Sequence, residues 1–152
     1  MKQFARMLLI GLAAAFLLGA CASGVKHADM AASIPTLKAG EGRIYFLRSS
    51  SMLGAAVQPD IRLNGEVVGV SKPGGFFFVD RPAGKYVVSA ATETEKTLHL
   101  TLSSGETKYV RSSPSVGIVV GRVVLSQESE EDAVEELAGL SYTGELVKSA
   151  AK

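Results

Sequence analysis

Between residues 42 and 125 the chain is cut into short apolar runs by turn-forming residues, and this punctuation restricts its fold more than any other feature. Asn64-Gly65, the pair best suited to a two-residue hairpin, stands between runs at 57–63 and 66–70. Lys72-Pro-Gly-Gly75 precedes an apolar run at 76–79, and Arg81-Pro-Ala-Gly84 precedes another at 85–92. Leu98, Leu100 and Leu102 alternate with Thr97, His99 and Thr101, the period of a half-buried strand. Ser104-Gly105 turns into 107–112, and 117–125 is nearly continuous Val and Ile. With an aromatic run at 43–48, the pattern predicts about seven or eight strands in an antiparallel β-sandwich or barrel-like sheet, the sandwich being the expected fold.

The period changes once, near the C-terminal end. Ser129 is placed to cap a helix, and Glu130, Glu131 and Asp132 complement the positive end of its dipole. Ala133, Val134, Leu137 and Leu140 then recur at helical spacing for burial, while Glu135 and Glu136 are expected to face water.

What closes this fold must be packing, because Cys21 is the only cysteine and no internal disulfide can form. That cysteine has a specific context. Lys2 and Arg6 precede an apolar stretch at 7–18, followed by Gly19 and Ala20. Basic start, apolar middle and small residues at a cut site are the three parts of a secretory signal. The stretch is shorter than the roughly 20 residues that a spanning helix needs. Leu18-Gly19-Ala20-Cys21 resembles the lipobox of bacterial lipoproteins, with cleavage between Ala20 and Cys21 and lipid attached to the Cys21 sulfur. The three acyl chains that this resemblance implies would anchor durably, since each buried methylene contributes about 0.8 kcal/mol. Ala22, next in line, points toward the outer membrane, facing the periplasm.

Removing 1–20 leaves 132 residues with 14 basic and 15 acidic side chains, a formal charge near −1. Such a balance lacks the clustered basic face that nucleic acid requires. The expected organisation is a signal peptide at 1–20, a lipidated N-terminus and flexible tether at 21–40, a β domain at 41–128, and a helix with a tail at 129–152. The Ala-, Ser- and Gly-rich tether, in which Met30-Ala-Ala-Ser-Ile34 has the makings of one helical turn, would extend roughly 60 Å at most.

Gly42-Arg-Ile-Tyr-Phe-Leu-Arg48, the Asn64-Gly65 hairpin and Phe77-Phe-Val-Asp-Arg-Pro-Ala-Gly-Lys-Tyr86 together resemble the DUF2846 family of small bacterial proteins, often lipoproteins. The resemblance spans roughly 40–125. Within it, Pro82-Ala-Gly84-Lys-Tyr86-Val-Val is similar to a motif of carboxypeptidase-regulatory-like and transthyretin-like sandwiches. There the Pro and Gly form a turn, and the Tyr and Val enter the core. The resemblance implies a fold and supplies no catalytic residue.

No motif adds catalysis, a metal site or a cofactor. The His residues are only His27 and His99, too few for a metal site without partners. Asp60 and Asp80 would need a shared cleft to act as paired carboxylates. Serines at 49–51 and 112–113 lack a nucleophile-elbow context, and the glycines at 74–75, 117 and 121 lack the following Lys-Ser/Thr of a phosphate loop. Arg43, Arg48, Arg62, Arg111 and Arg122 either gather as an anion site or stand as separate charges. Phe76, Phe77 and Phe78 place rings on both faces of one strand. They, with Arg111 and Arg122, either form an interaction surface or are covered by the 129–140 helix and the opposite sheet. The function expected is a non-enzymatic, membrane-anchored envelope lipoprotein whose β domain binds a protein or polymer. The alternatives are a small periplasmic hydrolase using Asp60, Asp80 or His99, and an assembly subunit burying 76–79 between copies.

Overall fold

A computed structural model describes residues 21–116 and 121–144. Their strands form two stacked sheets. In chain order they are β1 (Glu41–Arg48), β2 (Asp60–Leu63), β3 (Glu66–Val70), β4 (Gly75–Pro82), β5 (Gly84–Ala91), β6 (Glu95–Leu102), β7 (Thr107–Ser115), β8 (Arg122–Glu128) and β9 (Ser141–Tyr142). Helix α1 (His27–Met30) precedes them, and α2 (Glu130–Leu137) lies between β8 and β9. One sheet has the order β8-β7-β1-β4-β9 and the other β3-β2-β5-β6.

Mainly β sandwich architecture with one helix near the C-terminus is what the punctuation predicts. Two pairings depart from the antiparallel expectation: β1 runs parallel to β7, and β4 parallel to β9. The Asn64-Gly65 turn forms as its residue types demand, with φ of 50° and 86° in the left-handed region. Between β4 and β5, Pro82 to Gly84 carries the chain from one sheet to the other, which leaves Tyr86 half-buried and Val88 fully buried in the interior.

The strand period sorts the side chains into two clusters. Ile44, Phe46, Phe77, Val110, Val123 and Leu125 point from the five-stranded sheet toward Ile61, Leu63, Val88, Leu100 and Leu102 of the other. Phe46 and Phe77 stack with centroids 4.8 Å apart. Gly69 lies opposite the Phe77 ring, where a Cβ would come within 2.5 Å of ring carbon, so β3 needs a glycine there. The second cluster lies on the outer face of the five-stranded sheet and joins Tyr45, Leu47, Phe76 and Tyr109 to Met30, Ala133, Leu137 and Leu140. A sheet covered on both faces explains why β1 and the start of β4 read as unbroken apolar runs.

That outer layer corrects the expected tether. Residues 21–40 form a strap along the five-stranded sheet. Met30 is only 6% exposed, the His27 amide donates to the Leu140 carbonyl at 3.0 Å, and the Tyr142 amide donates to the Val25 carbonyl at 2.8 Å. Gly24 lies so close to Tyr142 that an added Cβ would run into the Tyr142 carbonyl. The helical turn anticipated around 30–34 is present as α1 with a 3-10 turn (Ala31–Ser33). At the far end, Ala83 donates to Gly40, which fixes the strap where β1 begins.

Helix α2 starts as predicted, with the Ser129 hydroxyl accepting from the Asp132 amide at 3.2 Å. Ala133, Leu137 and Leu140 are buried, whereas Val134 is exposed. Glu136 also departs from expectation and is drawn to Arg111 instead of water. The strand expected at 117–125 is β8, beginning at Arg122, and residues 117–120 lie outside the described residues.

Candidate functional site

The strand registers place Cys21 at one end of the sandwich. Arg48 pairs with Gly75, Ser115 with Arg122, and Gly75 with Ser141, so β1 and β7 finish where β4, β8 and β9 begin. The Ala22 amide donates to the Pro73 carbonyl at 3.0 Å, tying the residue after Cys21 to the β3–β4 loop. Cys21 itself is exposed, with a free thiol. Leu18, Gly19 and Ala20, the rest of the lipobox reading, lie outside the described residues, as does the whole leader at 1–20.

Behind this end sits a buried cation. Arg48 lies on the inward face of β1 and is 2% exposed. Its Nη1 donates to the carbonyls of Val57 at 2.6 Å and Ser71 at 3.0 Å, and its Nη2 donates to the Gly54 carbonyl at 2.7 Å. Burial lowers its pKa from the ordinary arginine value. Because guanidinium donors lie in a fixed plane, this fork holds the loop between β1 and β2 at Gly54 and Val57 and the β3–β4 connection at Ser71. The Ser71 and Ser112 hydroxyls bond at 2.7 Å and extend the polar cluster across to β7. A cavity of about 10 Å³ beside Arg48 has room for about one water.

The remaining arginines are each engaged separately. Arg43 Nε and Nη2 grip both carboxylate oxygens of Asp80, at 2.6 and 2.7 Å, and Nη2 also donates to the Pro35 carbonyl. Its guanidinium lies 4.5 Å from the Phe78 ring centroid. The hydrogen bond to Asp80 outweighs burial and raises the Arg43 pKa. Arg111 pairs with Glu136 and, at 3.4 Å, with Glu128, while its Nη1 donates to Ser49 at 2.8 Å. Burial acts to raise the Glu136 pKa, but hydrogen bonds from Ser49 and Arg111 and the Arg111 charge prevail and lower it. Arg122 pairs with Glu93 at 3.5 Å, and Arg62 with Asp60 at 3.5 Å. Arg43 and Arg111 share the outer face of the five-stranded sheet but lie four residues apart along it, each with its own carboxylate, and Arg48 is inside, so the arginines do not assemble into one anion site.

Of the two arrangements open to Phe76, Phe77 and Phe78, the rings are covered. Phe76 and Phe77 are buried in the outer and inner clusters respectively, and Phe78 is half-buried beside Tyr45 and Tyr142. The 129–140 helix and the opposite sheet cover these rings, with the strap as a third element that the sequence did not disclose. Arg111 and Arg122 stay partly accessible, each held by a carboxylate.

Nor are the candidate acid–base residues brought together. Asp80 lies on the outer face of the five-stranded sheet beside Arg43. Asp60 begins β2, and His99 is exposed on the other sheet. The two sheets, roughly 10 Å apart, separate Asp80 from His99. His99 does line a shallow groove of about 310 Å³ with Lys85, Tyr86, Val87, Leu100 and Thr101. Among the described residues no group of His, Cys, Asp and Glu is arranged to hold a metal ion. Likewise, no described helix is long and apolar enough to cross a membrane.

Sequence reasoning missed Met30 and Arg48 as organisers of this end. The Met30–Ile34 spacing was the only local signal for the first, and Arg48 closing an otherwise apolar strand was the signal for the second.

The described residues thus form a two-sheet β domain with a packed N-terminal strap. Residues 38–124 match the family described as "Protein of unknown function (DUF2846)", and the chain belongs to that family. It is also similar to an "Uncharacterized protein" of Haemophilus influenzae (strain ATCC 51907 / DSM 11121 / KW20 / Rd). The two are 29% identical over 145 residues, covering 92% of this chain and 84% of the relative. No solved structure matches.

Proposed function

We propose that this chain is a lipoprotein of the bacterial cell envelope, anchored through lipid on Cys21, whose β domain is a non-enzymatic binding module for an envelope protein or polymer. The observation that carries the reading is Leu18-Gly19-Ala20-Cys21 directly behind a basic and apolar leader. The exposure of Cys21 supports it, because an acyl-bearing sulfur must reach the bilayer. Ala22 favours the outer membrane. A binding role accords with the separation of Asp60, Asp80 and His99. The outer face of the four-stranded sheet, which carries Arg62, Lys85, His99 and Thr101, is uncovered and polar enough for such a partner.

Labelled fatty acid fed to cells is expected to enter the wild-type protein and not Cys21→Ala. Label in both, or in neither, would remove the anchor from the reading. For the binding role, photocrosslinking groups at Arg62 and Lys85 are expected to trap one envelope component in cells. Failure to trap any, together with normal function of variants across that face, contradicts it.

A further inference from the structure

We infer that the Cys21 end of the sandwich lies flat against the lipid bilayer, with Met52, Leu53 and Val116 seated among the headgroups. This rests on the lipid-anchor reading of Cys21 and adds an orientation to it. The strap leaves no slack between anchor and domain. Ala22 is already bonded to Pro73, and two residues span roughly 7 Å. The headgroup layer on each side of a bilayer is about as thick, roughly 5–7 Å. Loops beside Pro73 therefore reach that layer whenever the Cys21 acyl chains are inserted.

The composition of those loops fits the contact. The sequence between Arg48 and Asp60 contains no charged residue, and neither does the sequence between Arg111 and Arg122. Described residues of the two meet at this end: a Cβ on Gly54 would lie 2.7 Å from the Pro114 side chain, and one on Gly121 would lie 3.4 Å from that of Val57. Ser50 sits beside Gly74, which adjoins Pro73. Large apolar side chains project from these loops, with Met52 76%, Leu53 68% and Val116 85% exposed. Arg48 holds the first loop from within at Gly54 and Val57, so their presentation to solvent is built into the fold. Lys72, next to Pro73, is exposed and suits anionic headgroups. Of the acidic residues near this end, Asp60, Glu93 and Glu95 belong to the four-stranded side, with Glu93 engaged by Arg122, while Glu136 reaches Ser49 on the five-stranded side and is paired with Arg111. The five-stranded half therefore makes the contact.

The test uses the full-length protein, lipidated in cells and reconstituted into vesicles of phosphatidylethanolamine and phosphatidylglycerol. Acylation consumes the Cys21 thiol, so Leu53→Cys, Val116→Cys and, at the opposite end, Lys85→Cys each offer a single site for an environment-sensitive fluorophore. Probes at 53 and 116 are expected to shift to the blue, to be quenched by nitroxide-bearing lipids, and to be shielded from an aqueous quencher. The probe at 85 should behave as in water. Adding Leu53→Glu, an exposed position where folding is not at stake, should abolish the lipid quenching at 116. Water-like probes at 53 and 116 on a protein whose mass shows lipid on Cys21 would overturn the docking and leave the anchor intact. Absence of lipid on Cys21 would overturn both. Shielding of 53 and 116 from the aqueous quencher without quenching by nitroxide-bearing lipids would assign the surface to a second copy of the chain and overturn the inference.

Discussion

Replacing Met30 with Ala tests whether residues 21–40 are part of the fold or a free leash. The substitution removes Cγ, Sδ and Cε from a side chain that is 6% exposed and packed among Tyr45, Phe76, Leu137 and Leu140. At about 0.8 kcal/mol for each methylene-sized group, the transfer loss is roughly 2 kcal/mol. The cavity left beneath α1 adds to that, although a strap held at few points can partly collapse into it. The expected destabilisation is therefore about 2–3 kcal/mol, the lower part of the range for such truncations. Urea unfolding of the chain from residue 21 with Cys21→Ser would measure it, followed by tyrosine fluorescence, since Trp is absent and Tyr45 and Tyr109 lie in the same cluster. Val25→Ala, at an exposed strap position, should change stability by less than about 0.5 kcal/mol. A Met30→Ala protein as stable as the parent would refute the packed strap and restore the tether.

Asp80→Asn should cost about 2–4 kcal/mol in the same assay, because it strips a buried Arg43 of its charged partner; a neutral result would mean that the pair is solvated. Burial lowers the His27 pKa below its ordinary 6.5, so the unfolded chain takes up the proton first. Stability is then full above that value and declines as pH falls through it, and thermal midpoints of wild type and His27→Gln between about pH 7.5 and pH 5 should show the slope in the wild type alone. Ser129→Ala should cost about 1 kcal/mol through loss of the α2 cap, measured by chemical denaturation. Gly69→Ala should cost about 1–3 kcal/mol by driving a methyl into the Phe77 ring, and a neutral outcome would show that β3 can shift.

The parts of the fold with local signals were legible in the sequence. Asn64-Gly65 declared its hairpin through backbone preference, Leu98 to Leu102 declared its inward face by alternation, and Ser129 declared its helix by capping chemistry. The parallel neighbours β1 and β7 left no such mark, since no tight turn joins them and roughly sixty residues intervene. Strap residues Met30 and Ile34 are too sparse to show a period, and their burial depends on a sheet formed later in the chain. Glu136 looked like a solvent residue because its partner, Arg111, lies on another element. Cys21 was legible as chemistry, but its position against Pro73 was not, because that depends on the strap docking as a whole.

Intact-mass analysis of the protein extracted from membranes decides whether Cys21 is the anchor. A lipid-anchored protein is expected to begin at Cys21 and to carry the added mass of its lipid on that residue. A chain that retains residues 1–20, begins elsewhere, or carries no lipid would contradict the anchor.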